Sequence, residues 1–498
     1  MIVLLAFRNL ARNPWRTLFL LFGFSMGVAV MIVLLSVGEA LMDQAKDEKL
    51  VGGGQITVLP EGVDVEVLKT GGLGGLFFSI DHARFIHRQL LSSPRLSGVV
   101  KAVAPQIEGK LLYLRTGDGR ERAIRAGGDI PSLTTAVGAA PDIASGNWSD
   151  DALDRRWFAP TLAELRHEID HFHNPPPEAA QDPSWGEWHY FNVISPDRTR
   201  WAFVSFIVAG AVGSGSGQWG GQVLVTLHEQ GKPARRFTSS VRAPQVRYST
   251  SDANLRIGDS HVTVLPDGRY EVHAVAREDI TALPLTLDLE VAPVAGAYFP
   301  GAAVMSGVVS GYVVPALRAD ATGTLCIARA CSSYDHEQAY HDHNWGVWRG
   351  VTWEWGAARA GEFTLLYGRV EPPDSVASEQ PLFVYLVDRS GFVAVFRPKV
   401  IQYEDGATTH VGDRTIHTPS RATMLDIRGA DTLRLALDIE DASASDTRVG
   451  MVERGDALAA RKLVRPYFVQ MKGRATIGGR IRGIPLTGTG AGFFETYR

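Results

Sequence analysis

LPLTLDLEV, residues 283–291, sets Leu283, Leu285, Leu287, Leu289 and Val291 at every second position. Successive side chains of a strand point to opposite faces, so this spacing marks a strand with one buried face. DTLRLALDIE (431–440) repeats it with Leu433, Leu435, Leu437 and Ile439, and HVTVLPDGRYEVHAVA (261–276) reads as a hairpin turning at Pro266, Asp267 and Gly268. From residue 184 onward the period holds and helices are few. About 300 residues of antiparallel strand imply sandwiches or barrels, and the length suits two of them. The expected fold is mainly β, with two antiparallel β-barrel or sandwich domains over 184–310 and 311–498. Small barrels of this kind hold apolar ligands in their lumen.

Upstream the pattern changes. TLFLLFGFSMGVAVMIVLLSVG (17–38) carries no charged side chain, and as a helix it rises about 33 Å, enough to cross a hydrocarbon core. Arg8, Arg12 and Arg16 precede it and Glu39, Asp43 and Asp47 follow. The positive-inside rule therefore places 1–16 in the cytoplasm and the bulk of the chain outside the cytoplasmic (inner) membrane, in the periplasm of a two-membrane cell. A cleaved signal peptide ending near Ser36 or Gly38 is the rival reading. Residues 39–150 read as a small α/β extracytoplasmic segment, helical at IDHARFIHRQLLSSP (80–94) and extended at GKLLYLR (109–115). GGLGG (71–75) lacks the Gly-Lys-Ser/Thr of a phosphate loop.

Residues 151–183 read as a linker with an amphipathic helix. It contains a formal HExxH, His167, Glu168 and His171, the spacing that holds zinc on one helix face. The apolar stripe of Leu162, Leu165, Ile169 and Phe172 turns these histidines away from the core, so solvated side chains are expected there. Composition narrows the rest. The chain has 498 residues, is 45% hydrophobic and 21% charged, and has a formal net charge of −4 with no Lys/Arg block, which argues against a nucleic-acid partner. Cys326 and Cys331 are the only cysteines; they pair in an oxidising compartment or serve as small hydrophobes.

The chemistry is expected in YDHEQAYHDHNWGVWRGVTWEWG (334–356), which holds three His, two Asp, two Glu and four Trp. Titratable groups among large rings suit a polar site in an apolar pocket. An extended 340–346 puts Asp342 and Asn344 on one face and His341, His343 and Trp345 on the other. A carboxyl in such a pocket keeps its proton near neutral pH and can protonate an alkene; Asp342 is the candidate acid. Trp353 and Trp355 share a face and stabilise a carbocation. His343 or Asn344 orients water, Trp188 or Tyr190 closes the pocket, and His341 and Trp345 are counted with Trp353 and Trp355 among the ligand-binding residues. A hydrogen-bonded corner made by Asp342, His343 and Asn344 is the structural alternative. A metal set from Asp335, His336, His341, Asp342 and His343 is a third.

Two resemblances bear on these readings. LAFRNLARNPWRTLFLLFGFSMGVAV (5–30) and GGGQITVLPEG (52–62) resemble the start of permease subunits of MacB/FtsX-type ABC exporters, more weakly to residue 150 through ASGNWSDD (144–151). That resemblance implies exporter subunits as partners, although no further apolar run of membrane-spanning length follows. EWHYFNV (187–193), the approach from Gly311 to Leu325, AYHDHNWG (339–346), WEWG (353–356) and the closing GFFETYR (492–498) resemble the AttH-like, carotenoid 1,2-hydratase-type family. The family implies two lipocalin-like β-domains and, in its hydratase members, addition of water across an isolated C=C bond of a long isoprenoid; it implies no metal and no cofactor. The function read from the sequence is a membrane-anchored protein binding an apolar lipid or isoprenoid-like ligand, with a hydratase as the alternative. In GFFETYR a closing strand with Phe493 or Phe494 inside is the first reading, and Glu495 and Tyr497 at a pocket rim the second.

Overall fold

A computed structural model describes residues 14–46, 56, 80–138 except 97 and 118, 149–305 except 196 and 216, 309–373, 381–448 and 463–498. The chain divides into two compact units, 1–78 with 102–155, and 79–101 with 156–498. In the first, Pro14–Lys46 is a helix, Gln106–Arg115 and Glu121–Asp129 form a hairpin, and Pro131–Ala136 is a short helix. Of the uncharged stretch 17–38, side chains are described at 17–19 and 21–33, and their large apolar members are exposed. Among the described residues no helix is long and apolar enough to cross a membrane. GGLGG and nearly all of GGGQITVLPEG lie outside the described residues.

The helical segment near 80 belongs to the second unit, not to the permease-like segment. Ile80–Ser92 packs Phe85 against Leu165, Ile169 and Val313, an apolar contact that ties it to the β-structure.

Eight strands of that unit close a ring. Pro284–Pro293, Val309–Ile327, Ala330–Val347, Trp185–Ile194, Arg200–Gly210, Trp219–Glu229, Arg235–Arg242 and Tyr270–Glu278 pair antiparallel in that order, and the last returns to the first. The fold is thus mainly β, with a closed barrel that leaves none of these eight strands as a free edge. Leu285, Leu287, Leu289 and Val291 face inward as their alternation requires, whereas Leu283 is partly exposed before the strand starts. The lumen is not a ligand chamber: Phe191, Phe206, Phe237 and Tyr270 fill it.

A second, nine-stranded antiparallel sheet runs from Gly391–Phe396 through Thr352–Ala360 and Ile484–Tyr497 to Gln402–Glu404. Leu433, Leu435, Leu437 and Phe494 lie in its core. The division expected at 310/311 falls later, in the turn 348–351. Residues 309–347 form two long strands that hydrogen-bond within the first sheet, and a continuous period-two pattern carries no mark of which sheet a strand joins. A third apolar cluster, with Tyr190, Phe203, Tyr312, Tyr340, Trp355 and Phe493, joins the outer face of the barrel to the second sheet.

Cys326 and Cys331 form a disulfide across the turn joining Val309–Ile327 to Ala330–Val347. Farther along this strand pair Gly311 faces Trp345, and a Cβ at 311 would lie 2.3 Å from Trp345 Cε2. Gly311→Ala is expected to lower stability by about 1–3 kcal/mol through overpacking. A lower urea midpoint at unchanged slope would show it.

Candidate active site

Between the barrel's outer face and the second sheet lies a cavity of about 1010 Å3. Asp342 and Asn344 reach it from Ala330–Val347, Trp188 and Tyr190 from Trp185–Ile194, Trp353 and Trp355 from Thr352–Ala360, and Glu495 and Tyr497 from Ile484–Tyr497. Parity explains the grouping. Adjacent strands pair Asp342 with Tyr190 and Asn344 with Trp188, and paired residues project to the same side of a sheet.

Asp342 is buried, and its two oxygens accept from different donors. Tyr340 Oη donates to Oδ2 at 2.7 Å and Asn344 Nδ2 to Oδ1 at 2.6 Å. Trp355 Nε1 in turn donates to Tyr340 Oη at 3.0 Å, which fixes the phenol. Loss of water around the carboxyl pushes its pKa up to about 8, and the negative charge of Glu495 adds to the rise, while the bonds from Tyr340 and Asn344 oppose it. Glu495 is a second buried carboxyl on the same cavity. Trp353 Nε1 donates to its Oε2 at 2.9 Å and Gln470 Nε2 to Oε1 at 3.3 Å, while burial raises its pKa. The rings of Trp188, Trp348 and Trp353 cluster with centroids 4.7–6.3 Å apart and form an indole wall. The site therefore offers a proton donor, a second carboxyl and π-faces for an apolar guest.

Three of the expected residues lie elsewhere. His341, His343 and Trp345 point to the barrel's inner face, as alternation demands. His341 and His343 are fully buried against Asp170. Trp345 stacks on His173 with centroids 4.0 Å apart. His343 thus cannot orient a water in the cavity; of the two residues proposed for that role, Asn344 alone is placed for it. The hydrogen-bonded corner of Asp342, His343 and Asn344 loses His343 for the same reason. The set with His336 and Asp335 is not assembled either, since both are exposed and Asp342 faces the opposite way.

The HExxH segment does not form a zinc helix. Leu162–Ile169, capped by Thr161 with Glu164, ends before His171, so the two histidines do not share a helix face. Both are half-buried rather than solvated. His167 Nδ1 accepts from the Ala253 amide at 3.1 Å, His171 Nδ1 donates to the Glu168 carbonyl at 2.8 Å, and Glu168 pairs with Arg84. Leu162, assigned to the apolar stripe, is exposed, whereas Leu165, Ile169 and Phe172 are buried.

Sequence reasoning did not single out Tyr340 or Gln470. Tyr340 was open to it, standing two residues before Asp342 and so on the same face; Gln470 carries no local signal.

No protein-family model and no curated protein sequence matches the chain. Among solved structures it is similar to a candidate AttH of Nitrosomonas europaea (16% identity, 62% of this chain, 92% of that one, TM-score 0.44). It is also similar to CghA, crystallised with Sch210972 (13% identity, 63% and 89%, TM-score 0.42). A third is kievitone hydratase of Nectria haematococca (12% identity, 66% and 94%, TM-score 0.39).

Proposed function

We propose that the chain takes an apolar, isoprenoid-like ligand into the cavity between its two sheets and adds water to an isolated C=C bond there. The observation that carries this reading is the convergence of two buried carboxyl groups, Asp342 and Glu495, on one indole-walled cavity. In the proposed step the alkene π pair takes the Asp342 proton and forms a C–H bond at the less substituted carbon. The tertiary cation left behind is stabilised by the faces of Trp353 and Trp355. A water held by Asn344 attacks it, and the proton of the resulting oxonium passes to the Glu495 carboxylate and from there back to Asp342 through water in the cavity, which restores both groups for the next turnover. The net change is addition of H and OH across the double bond. The residue pattern that resembles carotenoid 1,2-hydratases supports the same chemistry.

Glu495→Gln keeps the hydrogen-bonding shape but cannot accept that proton. It is expected to lower turnover about a hundredfold with little change in ligand affinity. Paired kcat and Kd measurements on an acyclic carotenoid-like alkene test this; equal turnover by the variant would remove Glu495 from the mechanism.

The cavity's size also suits a carrier that holds a lipid without altering it. Mass spectrometry of detergent-extracted full chain separates the two readings. The carrier yields an unmodified apolar species at near-equal stoichiometry and no alcohol when supplied with alkene.

We further infer that residues 17–38 anchor the protein in the cytoplasmic membrane with the β-unit outside. The uncharged run with its basic and acidic flanks supports this, as does the disulfide, which persists in oxidising compartments. Association with ABC exporter subunits belongs to the same reading and rests on the N-terminal resemblance. Co-purification of a permease with the full chain, lost on deletion of 1–62, tests it.

A further inference from the structure

The inner face of the strands that carry Asp342 and Tyr190 holds a second ionisable cluster that hydration does not use. Asp170, just after the helix Leu162–Ile169, lies with His189, His341 and His343 in the filled interior, and all four are fully buried. Each histidine has one ring nitrogen committed to a fixed acceptor. His189 Nε2 donates to the Ala253 carbonyl at 2.9 Å, His341 Nδ1 to the Tyr190 carbonyl at 3.0 Å, and His343 Nε2 to Glu187 Oε1 at 2.9 Å. Glu187 is itself held by the backbone amide and Nδ1 of His173.

The remaining nitrogen of each ring turns toward Asp170. His341 Nε2 lies 2.9 Å from Oδ2, His343 Nδ1 2.9 Å from Oδ1, and His189 Nδ1 3.6 Å from Oδ1. At that distance His189 Nδ1 makes no hydrogen bond, and it has no other partner among the described residues. A fully buried imidazole nitrogen aimed at a carboxylate without contact needs an explanation. Imidazoles that bind metals donate their second N–H to a carbonyl or carboxylate, which fixes the tautomer and aims the lone pair; all three rings here are held that way. The ligand atoms of Asp170, His189 and His341 lie within 4.8 Å of one another. An ion with bonds of about 2.0–2.1 Å holds tetrahedral ligands about 3.3 Å apart, and the three histidine nitrogens lie 2.9, 2.9 and 3.6 Å from the Asp170 oxygens.

We propose that Asp170, His189 and His341 bind a divalent first-row transition ion of the zinc class, with His343 as the fourth donor. A set of imidazoles and one carboxylate suits zinc and its neighbours. It offers too few oxygens for calcium or magnesium. Four protein donors in a closed interior define a structural ion rather than a catalytic one. Its place gives it a purpose: it clasps the segment after the helix Leu162–Ile169 to the two strands whose outer face forms the cavity wall.

The test uses untagged full chain purified without added metal, with metal content read by plasma mass spectrometry. About one zinc-class ion per chain is expected, with at least a tenfold loss in His189→Gln and in His341→Gln. His171→Gln, which changes the HExxH segment alone, should keep the ion. Those two variants can fail to fold, so the wild-type chain is also stripped with chelator and reloaded with Co2+. Visible bands of a tetrahedral N/O site and a rise in Tm on reloading support the proposal. A folded wild-type chain that holds no ion and shows neither the bands nor the rise overturns it. So does metal content that survives in folded His189→Gln, or that is lost in His171→Gln.

Discussion

Asp342→Asn is expected to lower hydration of an acyclic isoprenoid alkene by about a thousandfold while leaving ligand affinity within about threefold, the loss that follows removal of a positioned general acid. The amide matches the carboxyl in shape, and its oxygen can still accept from Tyr340 Oη, which now donates at 2.7 Å. What disappears is the transferable proton. An effect on kcat alone assigns Asp342 to the transition state, whereas a rise in KM at constant kcat assigns it to binding. The environment makes the assignment specific, because a carboxyl raised to about 8 keeps its proton at neutral pH while an exposed aspartate does not.

Asp170→Ala carries the largest expected loss of stability, about 3–5 kcal/mol, the usual result of removing one partner from a buried charged network. Asp170 accepts from Tyr270 Oη at 2.9 Å and faces three imidazoles, all inside the barrel. Alanine leaves those groups desolvated with nothing to meet. Urea unfolding of the variant, followed by tryptophan fluorescence, measures the loss. A change below about 1 kcal/mol would show the network to be dispensable.

The sequence made some of this legible and concealed the rest, for physical reasons. Period-two spacing at 283–291 and 431–440 announced buried-face strands, and the same parity correctly separated Asp342 and Asn344 from His341, His343 and Trp345. Giving His343 a role beside Asp342 went against that parity, and the structure follows the parity. What faces each side was hidden, because the partners are remote: Asp170 lies 171 residues from His341, and Gln338 and Ala491, which meet where the two sheets join, are 153 apart. Local alternation cannot reveal such pairings. Nor could it show that the strands of 309–347 stay in the first sheet, since they differ from second-sheet strands only in their neighbours. At HExxH the apolar stripe speaks against zinc, and the helix stops at Ile169 before the second histidine; what the stripe does not show is that both histidines are half-buried by contacts from outside the helix.

The most direct test of the central claim is solvent-isotope labelling. Full-length protein is incubated with an acyclic isoprenoid alkene in D2O, and the product is analysed by mass spectrometry and NMR. Acid-initiated hydration through Asp342 predicts a tertiary alcohol with one deuterium on the adjacent carbon, formed by wild type and nearly absent with Asp342→Asn. Bound alkene recovered without deuterium or hydroxyl, or equal labelling by the variant, would contradict it.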